Sequence, residues 1–355
     1  MTVRKCDFLE LTPAEAKGFM AQLGEPAYRS KQVLNWLWQN GAQTFAEMNN
    51  LPLSLRERLQ VHATLGKLEM VTTEMSADGT EKILFSLPDG QTVETVILPY
   101  NIGDSVCIST QVGCRMGCLF CASGLPGFVR NLTSGEIMAQ VLQVRRILRT
   151  RGRELKSMVL MGSGEPLDNW SSTVAFLEAV QDPLRLAMSL RHVTLSTSGL
   201  VPRIAALAEL GWPVTLAVSL HAPTNLVRDR VMPINKKYPL EVLLPACDNY
   251  ANKTGRRVTY EYILIENLND DDQHASELAT LLSGRLCHVN LIPYNAIAEL
   301  PWKPSSQEKV RAFRDALSAK GINVTIRRRM GADIRAACGQ LRNNHCRENE
   351  EMRGE

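Results

Sequence analysis

Apolar positions along the chain change their period twice. Up to about Ala63 they recur every three or four residues, which predicts helices. Thr12, Pro13 and Glu15 read as a helix start: a hydroxyl to accept a first-turn amide, a proline where its missing N–H costs nothing, and a carboxylate in the first turn. A second amphipathic helix is predicted from Tyr28, Arg29, Ser30, Lys31 and Gln32 into Val33, Leu34, Trp36, Leu37 and Trp38. From Lys82 the period falls to two. Residues 83–87, a Pro88-Asp89-Gly90 turn and residues 92–98 predict a β-hairpin.

Beyond residue 100 the two periods alternate. Strands are predicted at 106–108, 157–161, 192–195, 214–219, 258–265, 288–292 and 323–326, with helices at 135–149, 172–181, 201–210, 240–252, 273–282 and 306–320 between them. Repeated βα units imply a parallel sheet with helices outside it, and six or so units suit an α/β fold of the partial (β/α)6 barrel kind. Functional residues are then expected in the loops that follow the strands. The predicted organisation is an N-terminal helical accessory domain (1–65), a β-hairpin linker (66–100), the barrel core (101–340) and a mixed-charge, frayed tail (341–355).

Length and composition narrow the class without fixing the chemistry. A chain of 355 residues with 45 % hydrophobic and 22 % charged positions is an ordinary globular protein with ample core. A formal charge of +3 makes no case for nucleic acid; the clusters Lys236-Lys237 and Arg327-Arg328-Arg329 do more, although an arginine run also suits a solvated strand end. No opening apolar run or bilayer-length segment is present, so a cytoplasmic, reduced protein is expected, with no membrane partner. In that compartment the nine cysteines read as ligands or catalysts before they read as disulfides.

Three of them, Cys114, Cys118 and Cys121, fall within eight residues just after the first barrel strand. C-x3-C-x2-C supplies three thiolates for a four-iron cluster and leaves the fourth iron open to a ligand. Zinc is the alternative, but it commonly wants a second close pair, and the six histidines are scattered. At the next strand end, Gly162, Gly164 and Glu165 allow close backbone approach and offer a carboxylate to a ligand ammonium; a tight turn with a solvated carboxylate reads equally from those residues. Ser196, then Ser219, Leu220 and His221, then Asn295 put polar groups at later strand ends, where hydroxyls also occur for structural reasons. Cys107 precedes the cysteine run, and Cys338 lies in a glycine-bounded stretch past the last strand. Cys247 and Cys287 suit plain burial, and Cys6 and Cys346 lie near the termini.

With those residues in hand, the chain resembles the RlmN type of radical S-adenosylmethionine RNA methyltransferase. The motifs YRSKQ, VETV, CISTQVGC, GFVRNL, GSGEP, TLSTSG, SLHAP, MPINKKYP, NLIPYN and AACGQL carry the resemblance in order. It implies a radical-SAM barrel that methylates C2 of an adenine in 23S ribosomal RNA, with transfer RNA left open as a second substrate. Cys114, Cys118 and Cys121 would hold a [4Fe-4S] cluster; Gly164, Glu165, Ser196, Ser219, Leu220, His221 and Asn295 would bind S-adenosylmethionine, used twice per turnover. Cys338 would carry a methyl group from the first molecule. A deoxyadenosyl radical from the second would activate that methyl for addition to C2. Glu94 would accept the C2 proton, and Cys107 would resolve the protein–RNA link, leaving a Cys107–Cys338 disulfide to be reduced. A flavodoxin- or ferredoxin-type electron donor and a monomeric state are implied as well. The Cfr type, which methylates C8, is the nearest alternative; Pro166 after Glu165 favours C2. Ser163 departs from the methionine many relatives carry there, and so puts the packing beside the cofactor in question.

Overall fold

The computed structural model describes residues 5–297, 299–331, 333–334 and 341–343. Cys338, Cys346 and most of the predicted tail lie outside the described residues.

The chain opens with β1 (Cys6–Asp7), α1 (Pro13–Gln22), α2 (Tyr28–Asn35), α3 (Leu53–His62) and β2 (Ala63–Thr64). The predicted start of α1 is a full capping box. Glu15 N–H donates to Thr12 Oγ1 at 3.2 Å, and Glu15 Oε2 accepts from Thr12 N–H at 2.8 Å. The second helix changes at Trp36 into a π-helical turn (Trp36–Asn40) that Gly41 ends with φ 74°, a distortion the periodicity does not announce.

Three antiparallel strands follow, β3 (Glu69–Met75), β4 (Glu81–Ser86) and β5 (Thr92–Leu98). The predicted hairpin is β4–β5; β3 was not predicted, because it is largely exposed on both faces and its Thr72-Thr73-Glu74 stretch is polar, so no apolar alternation shows. Next come β6 (Asp104–Cys107), a small hairpin of β7 (Gln111–Gly113) and β8 (Phe128–Asn131), and α4 (Ser134–Thr150). The βα run continues with β9 (Leu155–Leu160), α5 (Trp170–Gln181), β10 (Val193–Thr197), α6 (Val201–Glu209), β11 (Thr215–Ser219), α7 (Asn225–Asp229) and α8 (Leu240–Thr254). It ends with β12 (Val258–Leu264), α9 (Asp272–Leu282), β13 (Cys287–Pro293), α10 (Gln307–Ala319) and β14 (Val324–Ile326).

Ten strands make one sheet in the order β14-β13-β12-β11-β10-β9-β6-β5-β4-β3. The first seven in that order are parallel, as the seven predicted strands require, and β5 joins β6 antiparallel. The hairpin thus extends the barrel sheet itself. One core of buried apolar side chains runs from Phe8 and Trp38 in the N-terminal helices through Val141 and Leu195 to Phe313. After β14 the chain returns to the far edge of the sheet: Gly331 N–H donates to Asp78 Oδ2 and Ala77 N–H to Asp333 Oδ2, both at 2.9 Å. Arg342 N–H donates to Glu94 Oε1 at 2.8 Å. Among the described residues no helix is long and apolar enough to cross a membrane.

Candidate active site

The cysteine run occupies the loop between β7 and β8, whose ladder closes its base. Gly113, at φ 75°, is required there: a Cβ would lie 1.8 Å from Gly127 O. Other elements fix the loop from outside. Leu119 N–H donates to Val231 O and Trp302 Nε1 to Leu119 O, each at 2.9 Å, while Asn343 Nδ2 donates to Ala122 O at 3.0 Å. Arg115 pairs with Asp168 at 3.0 Å, and its guanidinium lies 3.8 Å above the Phe128 ring.

The three thiols feel one another. Burial first, then Cys121, pushes Cys114 up to about 12; burial, then Cys121 and Cys114, raises Cys118. Among the described residues no three His, Cys, Asp or Glu side chains converge on one ion-sized point. Three thiols on one loop suit the thiolate ligation of an iron–sulfur cluster, in which each sulfur takes a different iron. The donor set fits a cluster, whose binding must displace the thiol protons.

The remaining predicted residues cluster at the strand ends. Gly164, at φ 108°, has no space for a side chain: a Cβ would meet Gln111 N at 2.7 Å. Gln111 ties the β7 and β9 loops together, accepting from Glu165 N–H at 2.8 Å and donating to Asp168 Oδ2 at 2.7 Å. The Glu165 carboxylate is buried and already accepts two amides, Leu167 N–H at 3.0 Å and Ser198 N–H at 2.7 Å; burial raises its pKa. It therefore fastens the β9 and β10 loops together. Ser196 and Ser219 stand half-buried near the ends of β10 and β11. Leu220 and His221 N–H both donate to Glu261 O, which carries β11's loop over to β12. His221 is buried at φ 59°, and its Nδ1 accepts from Ile263 N–H at 3.1 Å. The imidazole is edge-on to Phe120 of the cysteine loop, and burial, then Arg228, pulls its pKa down to about 3, so it is neutral with the proton on Nε2.

A cavity of about 230 Å³ opens between the two edges of the sheet. It brings together Cys107, Cys121 and Asn295 with Phe120, Tyr294 and Lys82, under a wall of Arg327, Arg328 and Arg329. Gly164, Glu165, Ser196, Ser219, Leu220 and His221 lie at neighbouring strand ends and are not in its lining. Glu94 is one layer back, buried, 3.4 Å from Lys82 Nζ. Ser163 is accommodated by a hydroxyl partner on the cysteine loop, Ser123 Oγ at 3.3 Å. No disulfide joins the described cysteines, so the expected one has no counterpart among the described residues; its other half, Cys338, lies outside them.

Sequence reasoning missed Arg228, Gln111 and Lys82. Arg228 is wholly buried and bonds to the β10 and β11 loops, yet in NLVRDRV it reads as part of a solvated face. The usable signal was its apolar neighbours Val227, Val231 and Met232.

Known proteins resemble this chain over most of its length. The family model described as "Radical SAM superfamily" matches residues 108–279, and "Ribosomal RNA large subunit methyltransferase N-terminal domain" matches residues 6–65. The "probable dual-specificity RNA methyltransferase RlmN" of Desulforamulus reducens is 47 % identical over 342 residues, covering 96 % of this chain and 97 % of that one. Its namesake in Geobacillus kaustophilus is 48 % identical, covering 94 % and 91 %. The crystal structure of a radical SAM methyltransferase from Sphaerobacter thermophilus superposes with a TM-score of 0.92 at 44 % identity, covering 94 % of this chain and 98 % of that one. The chain belongs to the RlmN family of radical S-adenosylmethionine RNA methyltransferases.

Proposed function

We propose that this enzyme methylates C2 of an adenine in large-subunit ribosomal RNA and, since its relatives are called dual-specificity RNA methyltransferases, that transfer RNA is its second substrate. The observation that carries this reading is the shared cavity: Cys107 and Cys121 border one space, walled by three arginines and floored by aromatic rings. Arginines suit a phosphate backbone, and Phe120 and Tyr294 suit the faces of an unstacked base. Ile334 lines the cavity, and Arg342 N–H bonds Glu94, so described residues on both sides of 335–340 lie at or beside it. That supports Cys338 as the carbon-carrying sulfur.

Cys114, Cys118 and Cys121 hold the [4Fe-4S] cluster, and the strand-end groups at Gly164, Glu165, Ser196, Ser219, Leu220, His221 and Asn295 seat S-adenosylmethionine. When bound, that pair supplies a one-electron cleavage that yields a hydrogen-abstracting radical. Cys338 takes a methyl group by displacement at the first S-adenosylmethionine, with a second molecule used per turnover. Glu94, with Lys82 between it and the cavity, accepts the C2 proton. Cys107 attacks the Cys338 sulfur to free the product, and an external flavodoxin- or ferredoxin-type donor supplies the electron and works in the same cytoplasmic compartment.

Two mass-spectrometric measurements test the reading. Nuclease digestion of RNA modified in vitro is expected to yield 2-methyladenosine; 8-methyladenosine instead would assign the Cfr-type reaction. Peptide mapping after incubation with S-adenosylmethionine is expected to find a methyl group on Cys338, and an unmodified thiol there ends the proposed carbon route.

A further inference from the structure

Arg228 is completely excluded from solvent, yet its hydrogen-bond acceptors among the described residues are all neutral. Nε donates to Leu220 O at 3.1 Å. Nη2 donates to Ser198 O at 2.8 Å and Ser219 O at 3.1 Å, and Nη1 to Asn235 Oδ1 at 2.8 Å and Tyr238 O at 3.4 Å. Carbonyl and amide dipoles satisfy the donors but leave the positive charge uncancelled, and a charge buried that way is costly until something of opposite sign arrives. Burial pushes this guanidinium down to about 10, and the groups that oppose that are, in order, Cys118, Cys247 and Asp229.

Cys118 is close for structural reasons. It packs against an apolar cluster that includes Val231 and Met232, whose N–H groups both donate to Arg228 O, at 3.1 and 2.8 Å. Leu119 N–H closes the unit on Val231 O at 2.9 Å. The loop that holds a cluster thiolate and the turn that holds the guanidinium are therefore one hydrogen-bonded piece. Cys247, by contrast, lies in the apolar core on α8, and Asp229 is exposed and occupied by Asn235 Nδ2 at 2.7 Å.

We infer that Arg228 is the resident counter-charge for a three-thiolate iron–sulfur cluster, favouring its more negative, reduced level and thereby raising the potential at which it takes up one electron. The inference rests on the assignment of Cys114, Cys118 and Cys121 made above. Iron–sulfur potentials respond to net charge, hydrogen bonding and burial around the cluster, and a fixed cation at low dielectric acts on the reduced level more strongly than on the oxidised one. Arg228 also ties the carbonyls of the β10 and β11 loops to one planar group, so it is a positioning residue with an electrostatic role. The two contributions separate experimentally, because lysine keeps the charge and loses the fork, while glutamine loses the charge.

The full-length wild type, Arg228→Lys and Arg228→Gln are reconstituted anaerobically with iron and sulfide. Each is titrated with dithionite, and the midpoint potential is read from the electron paramagnetic resonance of the reduced cluster. The expected result is a lower potential for the glutamine variant and a near-wild-type potential for the lysine variant, although both melt at lower temperature. Equal potentials in all three overturn the inference, and so does a lysine variant shifted as far as the glutamine one. If the glutamine variant does not fold, the wild type decides: its urea midpoint must rise on cluster loading, and an unchanged midpoint overturns the inference. A wild-type chain that retains no iron is a different failure, that of the cluster assignment itself.

Discussion

Lys82 and Arg228 are both wholly buried cations, and the molecule answers them differently. On β4, Lys82 faces Glu94 of β5 at 3.4 Å, with both side chains at most 3 % exposed. Past the end of β11, Arg228 faces only carbonyls and an amide. The first charge is neutralised within the polypeptide, so the β4–β5 pair is finished when the chain has folded. The second is solvated by dipoles and stays unneutralised, so the strand-end region is finished only by an anionic guest. A buried ion pair and a buried lone charge look alike in a sequence, as isolated Lys or Arg letters, but the first meets its counter-charge on the next strand and the second is met by dipoles.

Replacing a cluster thiol should give the largest effect, because it removes the guest altogether. Cys118→Ala is expected to lose the brown absorbance and bound iron after reconstitution, with methyl transfer undetectable; retained iron at wild-type stoichiometry would break the contrast. Next in size, Lys82→Met removes the cation that faces the buried Glu94 carboxylate, and breaking a buried ion pair typically costs about 3–5 kcal/mol. Urea unfolding of the apoprotein should show it, and a loss below about 1 kcal/mol would mean the pair is not self-contained.

A half-buried carboxylate, Asp7, extends the comparison to the N-terminal region. Burial raises Asp7 to about 6 against one opposing amide, Leu9 N–H, and Glu10 and Glu136 add to the rise. Because the folded state binds this proton more tightly than the unfolded state does, stability falls as pH rises from about 4 to 6, and the penalty persists above. Asp7→Asn is therefore expected to stabilise the chain by about 1–2 kcal/mol at pH 7.5, with the gain shrinking toward pH 4 in thermal melts. A gain independent of pH would assign it to packing. Smallest of all, Ser163→Ala removes the hydroxyl contact with Ser123 and should cost about 0.5–1 kcal/mol, with cluster retention unchanged.

Most of the architecture was legible because its periods are strong. All seven parallel strands lie within a few residues of their predicted places, since buried strands of Val, Leu and Ile between helices of period 3.6 leave little ambiguity. The cysteine loop was legible from spacing, and the strand-end motifs from their positions after strands. What stayed hidden depends on partners far apart in the chain. Arg228 reaches back 30 residues to Ser198, and Lys82 needs a neighbouring strand before its burial makes sense. Glu165 carried a different surprise: it was expected to offer its carboxylate to a ligand ammonium, but its oxygens accept from the Leu167 and Ser198 amides. The β7–β8 ladder was hidden because three- and four-residue strands are too short for a period to show.

The return of the chain after β14 has a consequence for synthesis. Gly331, Asp333 and Arg342 latch onto Ser76, Ala77, Asp78 and Glu94, residues made some 250 positions earlier. At about 5–20 residues per second, the early hairpin waits well over ten seconds at the ribosome before its latch emerges. Nascent chains must therefore spend that interval with the arginine wall of the cavity missing, and the enzyme gains that wall only once residues 327–342 have emerged.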